Sequence, residues 1–411
     1  MPRIGPFSGL TYDVAAAGPL DRLTAPPYDV ISEPYRDRYR SGSPYNIVHL
    51  DLAQAHPGST REQAADPYEA AGERLRAWIA EGIFVRSPEP MYFAYEMRFS
   101  LGGRRRRIRG LLCAMDLEPW GGDVVPHEQT MPGPVEDRLR LLRATGTHLS
   151  PIYGIISGPN EPLARLLDEV AGTPPPFAIL DEEGVEHRMW PVAGTVDVPT
   201  WLAEERLLIA DGHHRYTTAL RFRLDLDADT GPGPWDQILT LVVDAGVQDV
   251  PVLPYHRLLV AGTAASDGPR DEEAAPDLMS VLASVDDDTL RYGMATRSED
   301  GRLRFALHRL TGEPPTVAAL HHQVLDRIAP EDAIRFTHDA EDAAAAIRSG
   351  AAVAAYLLPP TSPDRIRAVV ERGERLPRKS TFFWPKPRTG MVLMSVGRPA
   401  LTRPPRVPPA S

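Results

Sequence analysis

The chain has 411 residues, a mass of 45.2 kDa, 42% hydrophobic and 25% charged residues, and a formal net charge of −11. Such a length can bury a large core and has room for more than one domain, whereas the acidic balance argues against a general nucleic-acid binder, which needs a basic face. The single cysteine, Cys113, excludes an intramolecular disulfide and a cysteine-built zinc cluster, and no apolar run reaches the roughly 18 residues of a membrane span.

The first residues lack a charged segment followed by an apolar one, so no signal peptide is expected and a cytoplasmic location follows. "TAPPYDVIS" (24–32) reads as a rigid turn that presents Tyr28 and Asp29. A carboxylate there is a candidate base toward a substrate hydroxyl or a magnesium ligand, and equally a cap for the short helix that follows. In "SPYNIVHL" (43–50), Asn46 is one of only two asparagines and stands before a strand-like run, as a turn former or a ligand.

Residues 66–82 carry strong helix signals: Asp66 as N-cap, Pro67 in the first turn, Glu69 in a capping-box position and Gly82 as a stop. Ala71, Leu75, Trp78 and Ile79 fall on one apolar face. Two strand-like runs over 91–117 flank "GGRRRRIRG" (102–110), which predicts a hairpin with an arginine-rich tip. That tip is read as a solvated turn, with an anion-binding patch as the alternative. "VPHEQT" (125–130) then places His127 and Glu128 in a loop; both are acid, base or metal-ligand candidates. "EDRLRLLRAT" (136–145) places Asp137 and Arg138 at a helix start, Arg138 being either a phosphate ligand or half of an ion pair.

A strand at 151–157 and a helix through 161–172 precede "LLIADGHHRYTTAL" (207–220). Here a buried strand, Leu207–Ala210, ends in Asp211-Gly212, and a helix starts at about His213 or His214. Glycine allows the sharp bend, and N–H groups at a helix start attract an anion. Arg215, in the first turn, is able to grip a phosphate with two parallel hydrogen bonds. Adjacent histidines do not share a helix face, so His213 and His214 do not form a metal pair of the i, i+4 kind.

A buried strand follows at 237–245, and "VLPYHRLLV" (252–260) sets His256 and Arg257 just after a strand. Residues 262–276 turn small and acidic, as at a loop or domain joint. Helices are expected near 317–327, 339–349 and 362–372, and strands near 352–358 and 390–396. The two lysines of the chain, Lys379 and Lys386, both lie in "RKSTFFWPKPRTG" (378–390). Lysine is a compact point charge suited to phosphate; Lys379, Ser380 and Thr381 offer a phosphate cradle and Lys386 a second cation. The proline-rich residues 398–411 read as a disordered tail. Alternating helices and strands with a hairpin imply an α/β or α+β class with a mixed sheet.

"ADGHHRYTTAL" resembles the phosphate-binding box of the ParB/sulfiredoxin-like superfamily. Together with "APPYDVIS", "SPYNIVHL", "VPHEQT", "EDRLRLLRAT" and "KSTFFWPK", it identifies the chain as a member of the domain-of-unknown-function 1015 family. The resemblance runs from "GPFSGL" to "TGMVL". It implies a ParB/sulfiredoxin-like core over residues 1–261, with a C-terminal region, 262–397, that returns "KSTFFWPK" to the site. In ParB-type proteins and free serine kinases of this fold, the box binds nucleotide phosphates, which here implicates Asp211, Gly212, His213, His214 and Arg215. Sulfiredoxins hold a reactive cysteine where this chain has His213, so sulfinic-acid repair is not expected.

What remains is phosphoryl transfer on a small hydroxy amino acid, with L-serine as the leading substrate, ATP or ADP as donor and Mg²⁺ as cofactor. On this reading His213, His214, Arg215 and Lys379 hold phosphates, Asp29 or Glu128 is the base or magnesium ligand, and Tyr28, Asn46 and His256 face the substrate. Hydrolysis of O-phosphoserine and nucleotide sensing without turnover are the alternatives. No nucleic-acid or membrane partner is expected, and the sequence leaves the oligomeric state open.

Overall fold

A computed structural model describes residues 2–53, 66–226, 230–261 and 273–397. The expected tail, 398–411, and most of the acidic joint, 262–272, lie outside them. The chain forms two compact units: unit 1 comprises Met1–Pro126, Thr130–Asp249 and Pro385–Ser411, and unit 2 comprises His127–Gln129 and Val250–Trp384. The division falls at Asp249/Val250, ahead of the acidic stretch. Lys379 thus belongs to unit 2 and Lys386 to unit 1.

Unit 1 is built on a nine-stranded sheet. Its strands are β1 (Ile4–Gly5), β2 (Met91–Leu101), β3 (Arg104–Asp116), β4 (Val124–Pro126), β5 (Ile152–Ile156), β6 (Phe177–Leu180), β7 (Glu186–Ala193), β8 (Leu207–Asp211) and β9 (Gln237–Asp244). They lie in the order β4-β8-β5-β9-β3-β2-β7-β6, with β1 paired to β3. The pairs β4–β8 and β5–β9 are parallel and the others antiparallel, so the sheet is mixed and the fold is α+β. The expected hairpin is β2–β3, turning at Gly102 and Gly103.

The helices of unit 1 include α1 (Glu33–Gly42), α2 (Val48–Asp51), α3 (Pro67–Ala80), α4 (Pro132–Thr145), α5 (Glu161–Ala171) and α6 (His213–Leu224). Leu163 and Leu167 of α5 and Tyr216 and Ala219 of α6 pack on Ile152, Ile156, Leu207, Ile209, Leu111 and Cys113 of the sheet. Each large aliphatic side chain so buried contributes about 1.5–3 kcal/mol. Cys113 is fully buried, and burial pushes its thiol well above the usual range.

Three local expectations are corrected. "SPYNIVHL" enters the short helix α2 rather than a strand, because the Asn46 Oδ1 accepts from the Val48 N–H at 3.0 Å. Helix α4 starts at Pro132, six residues ahead of Arg138, since prolines fit a first turn that needs no N–H donor. Ile79 of α3 is 37% exposed, while Ala71, Leu75 and Trp78 alone turn inward.

Unit 2 carries a six-stranded antiparallel sheet and a two-stranded one. The strands are β10 (Val252–Pro254), β11 (His256–Leu259), β12 (Glu273–Ala275), β13 (Arg291–Arg297), β14 (Leu303–Arg309), β15 (Ile334–Thr337), β16 (Ala354–Leu357) and β17 (Thr381–Phe383). The larger sheet runs β12-β14-β13-β16-β11-β15, and β10 pairs with β17. Its core joins Val281, Ala295, Leu307 and Leu357 to Ala343, Ala344 and Ile347 of helix α7 (Ala340–Ser349). His256 and Arg257 come just after strand β10, across Tyr255, and themselves open β11. Among the described residues no helix is long and apolar enough to cross a membrane.

Candidate functional site

Strand β8 leads into the Asp211-Gly212 turn and helix α6 of unit 1. Leu207–Ala210 are buried and Asp211 closes the strand. Gly212 then takes φ +102°, the left-handed region, and a Cβ there would lie 2.7 Å from Ile152 Cγ2. Only glycine makes this turn cheaply. Helix α6 begins at His213 and receives no side-chain cap from Gly212. His213 is buried, and the His214 Nε2 accepts from the Met131 N–H at 3.0 Å, which fixes the proton on Nδ1.

Charged groups from distant segments converge beside this turn. The Lys386 ammonium bonds to Asp29 at 3.2 Å and to Asp211. Arg215 bonds to Asp211, to the Ser150 hydroxyl at 2.9 Å and to the Pro151 carbonyl. The Lys386 side chain is 8% exposed and that of Asp29 24%, so the pair lies at an accessible edge. Tyr28 stands among these charges. Burial, then Asp29, pushes its hydroxyl up to about 12, against the pull of Arg138 and Arg215.

Arg138 lies 4.2 Å from the Tyr28 ring centroid. It donates to Asp51 Oδ1 and to the Asp51 carbonyl, both at 2.8 Å, and to Asp137 at 2.7 Å. Burial disfavours its charge, but Asp51 and Asp137 overturn that and raise the guanidinium. Arg138 is therefore a clamp under Tyr28. Asp51, Arg138, His148, Ser150, Arg215 and Thr218 line a cavity of about 40 Å³, enough for one water.

Sequence reasoning did not single out Asp51, Ser150 or His148. Asp51 directly follows "SPYNIVHL", and a carboxylate in an otherwise apolar stretch was the available signal. Asn46 is 1% exposed, and its amide donates to the Arg22 and Thr24 carbonyls at 2.8 and 3.3 Å. It staples a loop inside unit 1.

The remaining candidates belong to unit 2. His127 is fully buried and its Nε2 lies 2.7 Å from the Thr381 hydroxyl. Glu128 accepts from the Lys379 backbone N–H at 2.8 Å. Lys379 takes φ +54°, a left-handed conformation uncommon outside glycine, and its ammonium lies 5.2 Å from the Tyr255 ring centroid. The Ser380 hydroxyl donates to the Pro377 carbonyl. His256 accepts from the Leu358 N–H at 3.1 Å, and burial, then Arg257, pulls its imidazole down to about 4. The hydroxyls of Ser380 and Thr381 and the ring of His256 are thus engaged within the unit's own packing.

Residues 4–308 match the family model described as "Protein of unknown function (DUF1015)", and the chain belongs to that family. No curated protein matches. Among solved structures, a free serine kinase in complex with AMP is similar at 15% identity and a TM-score of 0.36, over 67% of this chain and 89% of that one. A conserved hypothetical protein from Pyrococcus furiosus is similar at 14% identity and a TM-score of 0.32, over 64% and 90%. SbnI with C-terminal truncation, from Staphylococcus aureus, is similar at 11% identity and a TM-score of 0.35, over 68% and 85%.

Proposed function

We propose that the protein is a small-molecule phosphotransferase that moves the terminal phosphoryl group of ATP or ADP to the hydroxyl of a small hydroxy amino acid, L-serine first. The observation that supports this reading is Lys386 held between Asp29 and Asp211, beside the Gly212 turn at the start of α6. Phosphoryl transfer asks of a protein mainly position and compensating charge. Lys386 and Arg215 supply two cations, and the first-turn N–H groups of α6 favour an anion.

Asp29 takes the proton of the serine hydroxyl as its oxygen attacks the terminal phosphorus. The bond to the bridging oxygen breaks, and ADP leaves from ATP, or AMP from ADP. Two carboxylates that meet at one cation position also suit Mg²⁺, which Asp211 would hold with oxygens of the nucleotide. When bound, the ion would offset phosphate charge. Among the described residues no three metal-ligating side chains converge.

Phosphorus NMR of the protein with Mg²⁺, L-serine and ATP or ADP tests this. O-phosphoserine should appear, and Arg215→Ala and Lys386→Met should each slow its formation by roughly 10²–10³-fold. Phosphate released from O-phosphoserine without nucleotide would replace the kinase reading with a phosphatase. Turnover unchanged in both variants would remove the site.

A further inference from the structure

The arginine run at the hairpin tip has a geometry that neither composition nor the site above accounts for. Side chains alternate along β3, and register pairs Ser100 with Arg105, Arg98 with Arg107 and Glu96 with Arg109. Strand β7 adds Glu186 beside Arg98 and Arg188 beside Glu96. One face of the sheet thus gathers five arginines, at 98, 105, 107, 109 and 188. The carboxylates that meet them are Glu96, Glu186 and, from α5, Asp168. The face keeps an excess of two positive charges in a chain whose net charge is −11.

The excess collects at the tip. Glu96 is 0% exposed and takes Arg98 at 2.6 Å, Arg109 at 2.5 Å and Arg188 at 3.0 Å, so one carboxylate serves three guanidinium groups. Arg107 reaches a carboxylate only at 4.0 Å, on the Asp168 oxygen that also bonds Arg109. Arg105 makes no ion pair among the described residues. Arg98 and Arg107 are direct cross-strand neighbours, an arrangement of like charges that weakens a sheet. Arg98, Ser100, Arg105, Arg107 and Glu186 line an open cleft of about 550 Å³, within the range of small-ligand sites.

We propose that this cleft binds a phosphate group of a small molecule, held as its dianion by the forks of Arg105 and Arg107 with Arg98 behind them. A dianion matches the excess of two charges, and guanidinium groups bind phosphate oxygens in parallel pairs. The acidic chain and the Glu186 wall disfavour a long polyanion, which would need basic surface on every side. The site is independent of the Lys386 cluster and of the kinase reading.

Phenylglyoxal modification, read residue by residue by tandem mass spectrometry with and without inorganic phosphate, tests the proposal. Arg104, exposed on the other face of the same strand, is the internal control. Phosphate should slow modification of Arg105 and Arg107 at least fivefold and leave Arg104 unchanged. Calorimetric titration with phosphate should lose a binding event in Arg105→Ser/Arg107→Ser, whose exposed positions leave the melting temperature in place. Equal rates with and without phosphate, equal protection of Arg104, or an unchanged titration in the double variant would each overturn the site.

Discussion

Arg138 in unit 1 and Arg257 in unit 2 are both buried, and the two units compensate these charges in opposite ways. Arg138 lies between Asp51 and Asp137, which hold its guanidinium above the usual value against its burial. Arg257 is 0% exposed and makes no ion pair among the described residues. Its bonds run to the Tyr255 carbonyl, to His321 Nε2 at 3.2 Å and to the Arg378 carbonyl at 3.4 Å, and Phe336 lies 5.3 Å away. Burial pulls it down to about 9, with Glu128 opposing from further off. A buried cation therefore does not require a carboxylate in contact, but without one its charged form is weakened.

The largest effect should come from making Arg138 resemble Arg257. Asp51→Asn keeps the shape and removes the charge, leaving Arg138 to Asp137 alone, and weakening the compensation of a buried guanidinium in this way should cost up to about 3–5 kcal/mol. Urea unfolding at neutral pH measures it. A loss below about 1 kcal/mol would mean that Asp137 and Tyr28 suffice. On the proposed phosphotransferase reading, O-phosphoserine formation should also fall, because Tyr28 rests on the clamp.

The converse change should cost less. Arg257→Met relieves a desolvated charge that has no acid to lose, while the Tyr255 carbonyl and His321 lose a donor. These contributions oppose each other, each on the order of 1–3 kcal/mol, so the net change should stay within about 2 kcal/mol. A loss as large as that of Asp51→Asn would show that the two arginines are compensated alike.

The same contrast explains how much was legible in the sequence. The strand–glycine–helix turn at 207–220, the hairpin and the capped helix α3 rest on signals within a few residues: a left-handed glycine, period-2 alternation, an N-cap aspartate. The ion clusters rest on meetings between distant segments. Arg138 meets Asp51 across 87 positions and Lys386 meets Asp211 across 175. Nothing local says which carboxylate will neutralise which cation, so Asp51 passed unnoticed. Nor does the pairing of two lysines in one segment reveal that Lys386 joins unit 1 while Lys379 lies over Tyr255 in unit 2.

The pH dependence of stability discriminates best between the two units. Burial holds His148 in unit 1 and His256 in unit 2 at about 4, against 6.5 for a free imidazole. Between pH 6.5 and pH 4 the folded rings stay neutral while the unfolded ones take up protons. Stability is therefore full above pH 6.5 and falls as the pH drops through that window, by about 1.4 kcal/mol per pH unit for each ring. The causes then diverge. After burial, Arg257 is the next influence lowering His256, whereas His148 is lifted by its bond to the Gln237 carbonyl and lowered only weakly by Arg215. Removing the Arg257 charge should raise His256 toward its free value and flatten the pH dependence of Arg257→Met relative to the wild type. Unfolding free energies at pH 7, 5.5 and 4.5 for the two proteins decide it. Parallel slopes would mean that burial alone sets both rings and that the uncompensated charge of Arg257 is not felt at His256.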